Sequence, residues 1–369
     1  MTSGLTIGTA YGQPDQPVSL RPEKFNRHTF WCGQSGSGKT YALGVVLEQL
    51  LLNTDLPMVI MDPNSDFVRI AENRSGVAQE VAAELADRDI RVLHAGTREG
   101  ERLRTRFVDL DLPTKAAVVR LDPIADPDEF NVLLHLEEHA AATGERENYL
   151  RTLRQSTDPG ERAVGKRIEN LRVLDWRLWA WGGRAVTDIV AERPAATVLD
   201  LGGFTERPEA TVAAASVLEH LWRHREERRP VLIVIDEAHN LCPPNPETLI
   251  EKVLTDQIIQ IAAEGRKFGL WLFLSTQRPT KIHPNVLSQC DNLGLMRMSS
   301  PRDLAELTDI FGYAPADLVA QSPDFAQGQA LFAGGFIDQP TLVQMGSRLT
   351  EEGGSDVHVP LRATRTDQG

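Results

Sequence analysis

The sequence WCGQSGSGKT, residues 31–40, follows a short apolar run and contains a complete GxxxxGK[ST] pattern. In this pattern glycines let the backbone curl, so that successive N–H groups point at one anion beside the positive end of a helix dipole. The run HTFWCG (28–33) predicts a strand before the loop, and YALGVVLEQLLL (41–52) predicts a helix after it. This setting favours a phosphate-binding loop over a glycine-rich turn that binds nothing.

The loop predicts a binding site for ATP and Mg²⁺. Lys39 is expected to reach the β- and γ-phosphates. The Thr40 hydroxyl is expected to bind Mg²⁺, because this small hard cation takes oxygen ligands and retains several waters. The predicted nucleotide-binding residues of the loop are Gly33, Gln34, Ser35, Gly36, Ser37, Gly38, Lys39 and Thr40.

Further apolar runs of strand length alternate with helix-length segments. Continuous apolar runs of this kind predict buried strands of a mostly parallel sheet covered on both faces, so the predicted fold class is α/β. After PVLIVID, Asn245 and Pro246 predict the start of a crossover helix. The runs are PMVIMD (57–62), IRVLHA (90–95), ATVLDL (196–201), PVLIVID (230–236), LWLFLSTQ (270–277) and LGLMRM (293–298).

The domain organisation is predicted to be one α/β domain over residues 1–369. Between about 125 and 190 the strand signals vanish and helical patterns replace them, which predicts a helical insertion. Residues 328–346 predict a terminal hairpin, and residues 347–369 a flexible carboxyl-terminal tail.

Composition limits the classes of partner. Asp and Glu outnumber Lys and Arg by 52 to 39, for a net charge of −13, so the whole surface cannot coat nucleic acid and any DNA contact must be local. Three widely spaced cysteines suggest neither a disulfide framework nor a zinc site. We find no membrane segment or leader pattern, and the predicted location is the cytoplasm.

Hydrolysis requires a held metal, an oriented water and positive charge at the developing oxygens. Asp236 ends an apolar run and is expected to bind Mg²⁺, while the adjacent Glu237 is expected to activate water. Gln277 ends the next run and is a candidate sensor of the γ-phosphate. Arg266 precedes that run and is a candidate arginine finger for a neighbouring subunit, although an ordinary surface arginine is the alternative.

Together, the segments NRHTFWCGQSGSGKT, PMVIMDPNSDF, VLIVIDEAHNL and EGRKFGLWLFLSTQRPTKIHPNVLSQCDNLGLMRM resemble the HerA/FtsK superfamily of P-loop ATPases, most closely its HerA-like (DUF87-type) branch. STQRP followed by VLSQC is the most specific part. The resemblance implies a RecA-like domain of the ASCE type, a ring expected to be a hexamer, ATP bound between subunits, and double-stranded DNA as cargo. It implies the same roles for Lys39, Thr40, Asp236, Glu237, Gln277 and Arg266, and places Asp62 near the active site.

Two departures from this family affect the predictions. The family often continues the second strand end with Gly-Glu-Tyr, whereas this sequence has Ser65-Asp66-Phe67, so the duty of Asp66 stays open. The family usually carries a β-barrel domain ahead of the ATPase, but only 32 residues precede Gly33. If the family's nuclease partner docks on that barrel, this protein is expected to use another surface or another partner.

The predicted insertion is a candidate for DNA contact. Between residues 145 and 184, basic residues outnumber acidic ones by nine to six, and Trp176, Trp179 and Trp181 interleave with them. Packing of the tryptophans against the core or an adjacent subunit, with solvated arginines, is the interpretation that we favour.

The predicted function is an ATP-hydrolysing ring motor that translocates or grips double-stranded DNA, with a nuclease or defence effector as a possible partner. One alternative is a nucleotide-gated scaffold for a defence effector, and another is a conjugation- or secretion-type ATPase. A two-domain helicase is disfavoured, because only 92 residues follow Gln277. A small-molecule kinase is disfavoured because we find no acceptor site or lid pattern.

Overall fold

The computed structural model describes residues 4–96, 98–135 and 152–354. Within these residues, one central sheet contains twelve strands. The strands are β1 Leu5–Ala10, β2 Gln13–Leu20, β3 His28–Cys32, β4 Met58–Asp62, β5 Ile90–His94, β6 Glu101–Arg102, β7 Ala196–Asp200, β8 Val231–Ile235, β9 Leu270–Thr276, β10 Cys290–Met296, β11 Gln329–Gly334 and β12 Thr341–Met345.

The sheet has the spatial order β2-β1-β12-β11-β10-β3-β9-β8-β4-β7-β5-β6. The strands from β10 to β6 in this order pair in parallel, and β2, β1, β12 and β11 add an antiparallel extension beside β10. This arrangement confirms the predicted α/β fold with a mostly parallel sheet. Because β3, β9 and β8 are neighbours, the loops that follow them lie together at one edge.

Helices cover both faces of the sheet, and strand residues alternate between two apolar layers. In β4, Met58 and Ile60 belong to one layer and Val59 and Met61 to the other. Burial on both faces explains why the central strands β4, β8 and β9 are mainly apolar runs. No helix in the described part of the chain is long and apolar enough to cross a membrane. The helices are α1 Lys39–Asn53, α2 Gln79–Ala86, α3 Leu112–Val119, α4 Pro127–Leu134, α5 Pro159–Asn170, α6 Val186–Glu192, α7 Arg207–Arg223, α8 Leu249–Glu264, α9 Pro284–Leu287, α10 Pro301–Ile310 and α11 Ala316–Ala320.

The region predicted as a helical insertion, 125–190, contains α4, α5 and the start of α6 in its described part. Residues 136–151 of this region lie outside the described residues. At the other end of the chain, residues 348–350 of the predicted tail contact Glu48 on α1, and Arg348 and Thr350 are buried. Residues 355–369 lie outside the described residues, and the domain boundaries stay a prediction.

The structure differs from the sequence patterns at two places. The hairpin β1–β2 was not predicted, because β2 is an edge strand with Pro14, Pro17 and a mostly exposed face, so it lacks an apolar run. The crossover helix α8 begins after Thr248 rather than at Asn245. Thr248 accepts a hydrogen bond from the Glu251 N–H, and Glu251 accepts one from the Thr248 N–H, so this capping box defines the helix start.

Candidate functional site

The predicted phosphate loop lies between β3 and α1, at the carboxyl end of a strand in the middle of the sheet. Gly36 and Gly38 have φ angles of 75° and 88°, in the left-handed region that favours glycine. Gly38 is the N-cap of α1, and Lys39 and Thr40 are its first residues. The loop therefore presents backbone N–H groups and the positive end of the helix dipole to one volume, as anion binding requires.

The segment after β10 holds the phosphate loop in place. Arg297 donates a hydrogen bond from Nη2 to the Gly36 carbonyl at 2.9 Å, and its own carbonyl accepts the Gln34 N–H at 2.8 Å. The Gln34 side-chain oxygen accepts hydrogen bonds from the N–H and hydroxyl of Ser299. A Cβ at Gly33 would lie 2.8 Å from Met296 Cβ, so the loop fits closely against this strand. These contacts preorganise the loop before a phosphate arrives.

Lys39 forms a buried ion pair at the carboxyl ends of β8 and β9. Its Nζ lies 2.9 Å from Asp236 Oδ1, 3.2 Å from Glu237 Oε1 and 2.9 Å from the Ser275 hydroxyl. Burial alone would lower the pKa of Lys39, but the two carboxylates outweigh it and raise that pKa. The ammonium is therefore charged, and it must leave part of this arrangement to contact a phosphate.

Glu237 is held in an uncommon backbone conformation, with φ 44°. A non-glycine residue in this region costs free energy and persists where its surroundings determine it, frequently at functional sites. Its Oε2 lies 3.2 Å from Nδ1 of His239, which also lies 3.0 Å from the Thr276 hydroxyl. Burial would raise the pKa of Glu237, but His239 and Lys39 stabilise the carboxylate and that pKa is lowered. Glu237 is thus in the ionised form that a general base requires.

Asp62 and Asp66 have different surroundings. The buried Asp62 carboxylate accepts the N–H groups of Asp66 and Phe67 at 3.0 and 2.7 Å, so it holds the turn after β4. Asp66 itself lines the nucleotide cavity, whereas Asp62 lies beneath it. Burial raises the pKa of Asp62 to about 7, and burial together with the charge of Asp236 raises the pKa of Asp66 to about 6. Asp66, whose role the sequence left open, therefore lies at the cavity.

The oxygen atoms beside Lys39 fit a hard divalent cation. One carboxylate oxygen from each of Asp62, Asp66 and Asp236 lies within 4.8 Å of the other two. Asp236 Oδ2 is buried and has no hydrogen-bond partner among the described residues. Such oxygen donors suit Mg²⁺. Thr40 lines the adjoining cavity, so Thr40 and Asp236 stay the predicted metal-binding pair.

Gln277 and Arg266 lie at opposite ends of β9. Gln277 follows β9 and lines the cavity beside Glu237. Arg266 precedes β9 and forms an ion pair with Asp291 at 2.5 Å, near Arg27. Since each strand residue advances the chain by about 3.3 Å, residues 270–275 put roughly 16 Å between this edge and the Lys39 site. Arg266 therefore cannot serve the site of its own chain.

The site surrounds an open cavity of about 750 Å³. Predicted residues that line it are Gln34, Ser35, Gly36, Gly38, Lys39, Thr40, Glu237 and Gln277. Gly33, Ser37, Asp62 and Asp236 do not line it, and Ser37 and Asp236 are buried behind it. Asp66, whose duty the sequence left open, also lines the cavity. Further lining residues that no sequence pattern indicated are Tyr41, Asn64, Gln327, Gly328, Gln344, Met345, Gly346, Ser347 and Glu352.

The arginines of the helical region 125–190 are largely used within the chain. Arg154 pairs with Glu169, Arg167 with Asp126 and Glu129, Arg172 with Asp175, and Arg184 with Glu101 and Glu192. Trp179 is buried and stacks on Trp176. These contacts agree with the packing interpretation for the two tryptophans. Arg146 and Arg151 lie outside the described residues.

Comparisons with known proteins identify similar sequences. A family model described as the central domain of the helicase HerA matches residues 5–170. The DNA double-strand break repair helicase HerA of Pyrococcus furiosus is 22% identical over 399 residues, which cover 93% of this chain and 69% of the relative. The probable DNA double-strand break repair helicase HerA of Methanocaldococcus jannaschii is 32% identical over 131 residues, covering 36% of this chain and 25% of the relative. The resemblance to HerA-like ATPases is confirmed.

Solved structures with a similar fold include the bacterial conjugative coupling protein TrwB. Its unbound form has a TM-score of 0.59 at 14% identity and covers 92% of this chain and 89% of that structure. Its complex with the ATP analogue ADPNP has a TM-score of 0.57 at 14% identity and covers 95% of this chain and 91% of that structure. At this identity the similarity shows the fold alone, and it confirms the RecA-like P-loop architecture.

Proposed function

We propose that this chain, which resembles HerA-like P-loop ATPases, hydrolyses ATP at the interfaces of a ring, expected to be a hexamer, and thereby translocates or grips double-stranded DNA. One observation supports assembly into a ring with shared sites. Lys39 is the only cationic side chain among the described residues that line the cavity, which also has the acids Asp66, Glu237 and Glu352. ATP is strongly anionic, so this cavity needs positive charge from outside the chain.

Each site residue has a defined task in this proposal. The loop N–H groups and the α1 dipole bind the phosphates, and Lys39 moves from Asp236 and Glu237 onto the phosphate oxygens. Glu237 accepts a proton from the attacking water, which Gln277 orients. Mg²⁺ held by Thr40 and Asp236 would neutralise phosphate charge. Arg266 of a neighbouring subunit supplies charge at the γ-phosphate, because it is too far from its own site.

Mixing two inactive variants tests the shared site. Arg266→Ala is expected to slow hydrolysis by about 10³-fold or more, the contribution of an arginine finger. A subunit with Lys39→Ala has an inactive site of its own but still provides Arg266 to the neighbouring subunit. In rings that contain both variants, some interfaces combine an intact Lys39 with an intact Arg266, so the hydrolysis rate is expected to rise above that of either variant alone.

The control for this experiment is Lys267→Ala, which removes a neighbouring cation that pairs with Glu264 on the same chain. It is expected to hydrolyse ATP at the wild-type rate. Native mass spectrometry establishes that the rings are mixed. If verified mixed rings recover no activity, Arg266 does not act between subunits.

The DNA function is tested by steady-state ATP hydrolysis with and without duplex DNA, after subtraction of the rate of Glu237→Gln. We expect DNA to stimulate hydrolysis, and the stimulation to weaken as salt increases, because phosphate contacts release counterions. A Glu237-dependent hydrolysis rate that is the same with and without DNA would contradict a DNA motor. It would favour the alternatives, a nucleotide-gated scaffold for a nuclease or defence effector, or a secretion-type ATPase.

A further inference from the structure

The sheet order divides the nucleotide cavity into two sides. The phosphate loop follows β3, and Glu237 and Gln277 follow β8 and β9 on one side of it. On the other side lie β10, β11 and β12, which bring Gln327–Gly328 and residues 344–347 to the cavity. We name these residues, 327–328 and 344–347, the nucleoside wall.

We infer that the nucleoside wall holds the base and ribose of the bound ATP. The inference rests on the proposed hydrolysis at Glu237. A γ-phosphate that meets Glu237 points toward β8 and β9, so the remainder of the molecule extends from the phosphate loop toward β11 and β12. The wall is the part of the cavity that lies in this direction.

The wall is continuous with the phosphate loop. The Gly328 N–H donates to the Ser37 carbonyl at 3.0 Å, and the Met345 N–H donates to the Gly328 carbonyl at 2.9 Å. Gly328 has φ 74°, and a Cβ there would lie 2.9 Å from Nε2 of Gln344. The glycine thus allows the Gln344 amide to lie against the loop. A primary amide offers both a donor and an acceptor, which is the combination that glutamine uses to bind the edge of adenine.

A buried ion pair sets the position of the wall relative to α1. Arg348 follows the wall directly, and its Nε lies 3.2 Å from Oε1 of Glu48, with both side chains buried. The Glu48 carboxylate also accepts the N–H groups of Leu349 and Thr350 at 2.7 and 3.0 Å. A Cβ at Gly44 would lie 2.5 Å from Arg348 Nε, so α1 has a glycine where the guanidinium passes.

These contacts give Arg348 and Glu48 a positioning role. Buried charges persist at low cost only when their hydrogen bonds are satisfied. The Glu48 carboxylate meets that condition, and Arg348 donates from Nη2 to the Thr350 hydroxyl, while its Nη1 has no hydrogen-bond partner among the described residues and lies 3.7 Å from Glu352. The Arg348 N–H also donates to the Tyr41 hydroxyl at 2.9 Å, and Tyr41 lines the cavity immediately after Thr40. The pair therefore fixes the wall at one distance from the helix that begins at the phosphate loop.

The test compares two ligands that share phosphates but differ in the nucleoside. Calorimetry measures the binding of an ATP analogue with an imido β–γ bridge and of inorganic tripolyphosphate, both with Mg²⁺. Gln344→Ala is expected to weaken the ATP analogue by about fivefold or more, the loss of one net hydrogen bond, and to leave tripolyphosphate binding unchanged. Gln339→Ala is the matched control, because Gln339 is exposed at the other end of the same hairpin.

Arg348→Met tests the positioning role through the same comparison. A wall released from Glu48 is expected to lose affinity for the ATP analogue by about fivefold or more while tripolyphosphate binding persists. Because removing a buried charge can prevent folding, circular dichroism and the tripolyphosphate affinity establish that the variant retains its phosphate loop. Gln344→Ala does not carry this risk, since its side chain lies at the cavity surface.

The outcomes separate this inference from the function on which it rests. Equal weakening of both ligands by Gln344→Ala would show that the wall shapes the phosphate site, and unchanged binding of both would place the nucleoside elsewhere. Either result overturns the inference. If the wild type binds tripolyphosphate but not the ATP analogue, or neither ligand, the proposed ATP function itself is wrong.

Discussion

Replacement of Lys39 by alanine is expected to reduce ATP hydrolysis by at least about 10²–10³-fold, the range that follows removal of one preorganised charge-stabilising donor. Lys39 is the sole cation among the described residues that line the cavity, so no second side chain of the same chain takes over its charge. The measurement is steady-state phosphate release at saturating ATP. A variant that retains the wild-type rate would contradict the assignment of the phosphate loop.

The same substitution is expected to destabilise the protein without nucleotide. Asp236 and Glu237 lie within 3.2 Å of the ammonium and lose their buried counter-charge when it is removed. Breaking a buried ion pair from one side costs about 3–5 kcal/mol, and urea unfolding at neutral pH measures this loss. Lys39 helps to lower the pKa of Glu237, so this pKa rises in the folded variant and the folded state binds protons more readily. We therefore expect the destabilisation to grow with pH.

Lys252→Ala is the matched control for both measurements. Lys252 lies on α8 and is exposed, so the same chemical change removes a solvated charge rather than a buried one. Its hydrolysis rate is expected to equal that of the wild type. Its unfolding free energy is expected to match the wild-type value within about 0.5 kcal/mol. If Lys39→Ala unfolds with the wild-type free energy, the ion pair does not stabilise the folded protein, although its role in phosphate binding would stand on the kinetic result.

Much of the fold was predictable because its strands are buried on both faces. VLIVI in β8 is a continuous apolar run for that reason, and ATVLD in β7 is buried throughout and mainly apolar. The hairpin β1–β2 escaped prediction, because the edge strand β2 needs no such run. Its polar and proline-rich sequence resembles a loop until its pairing partners are known.

The candidate site likewise contains residues that a local pattern predicts and residues that only the fold brings together. Residues 33–40 form a local motif whose spacing predicts its geometry, and their position from the end of β3 into the first turn of α1 agrees with that prediction. The wall residue Gln344 and the pair Glu48–Arg348 depend on contacts between positions about 300 residues apart, which no local pattern encodes. Asp66 illustrates an intermediate case. Its residue type suggested a site role, but only the fold shows that it lines the cavity while Asp62 holds the turn.

Glu237→Gln is expected to separate ATP binding from hydrolysis. The amide has nearly the same shape as the carboxylate and still offers an oxygen to Lys39, but it cannot accept a proton from water. General-base catalysis contributes about 10²–10⁴-fold, so turnover is expected to fall by that factor. Affinity is expected to be unchanged or slightly tighter, because the substitution removes one negative charge from a cavity that binds an anion.

Asp66→Asn is the comparison that makes this prediction specific. Asp66 is a second carboxylate that lines the same cavity, and its pKa is raised to about 6, so it competes with Glu237 for the role of base. Single-turnover experiments with excess protein measure bound ATP and released phosphate in the same sample. We expect Glu237→Gln to retain intact ATP, while Asp66→Asn still turns it over. The reverse result would move the general base to Asp66, and the strained backbone of Glu237 would then serve only to hold Lys39.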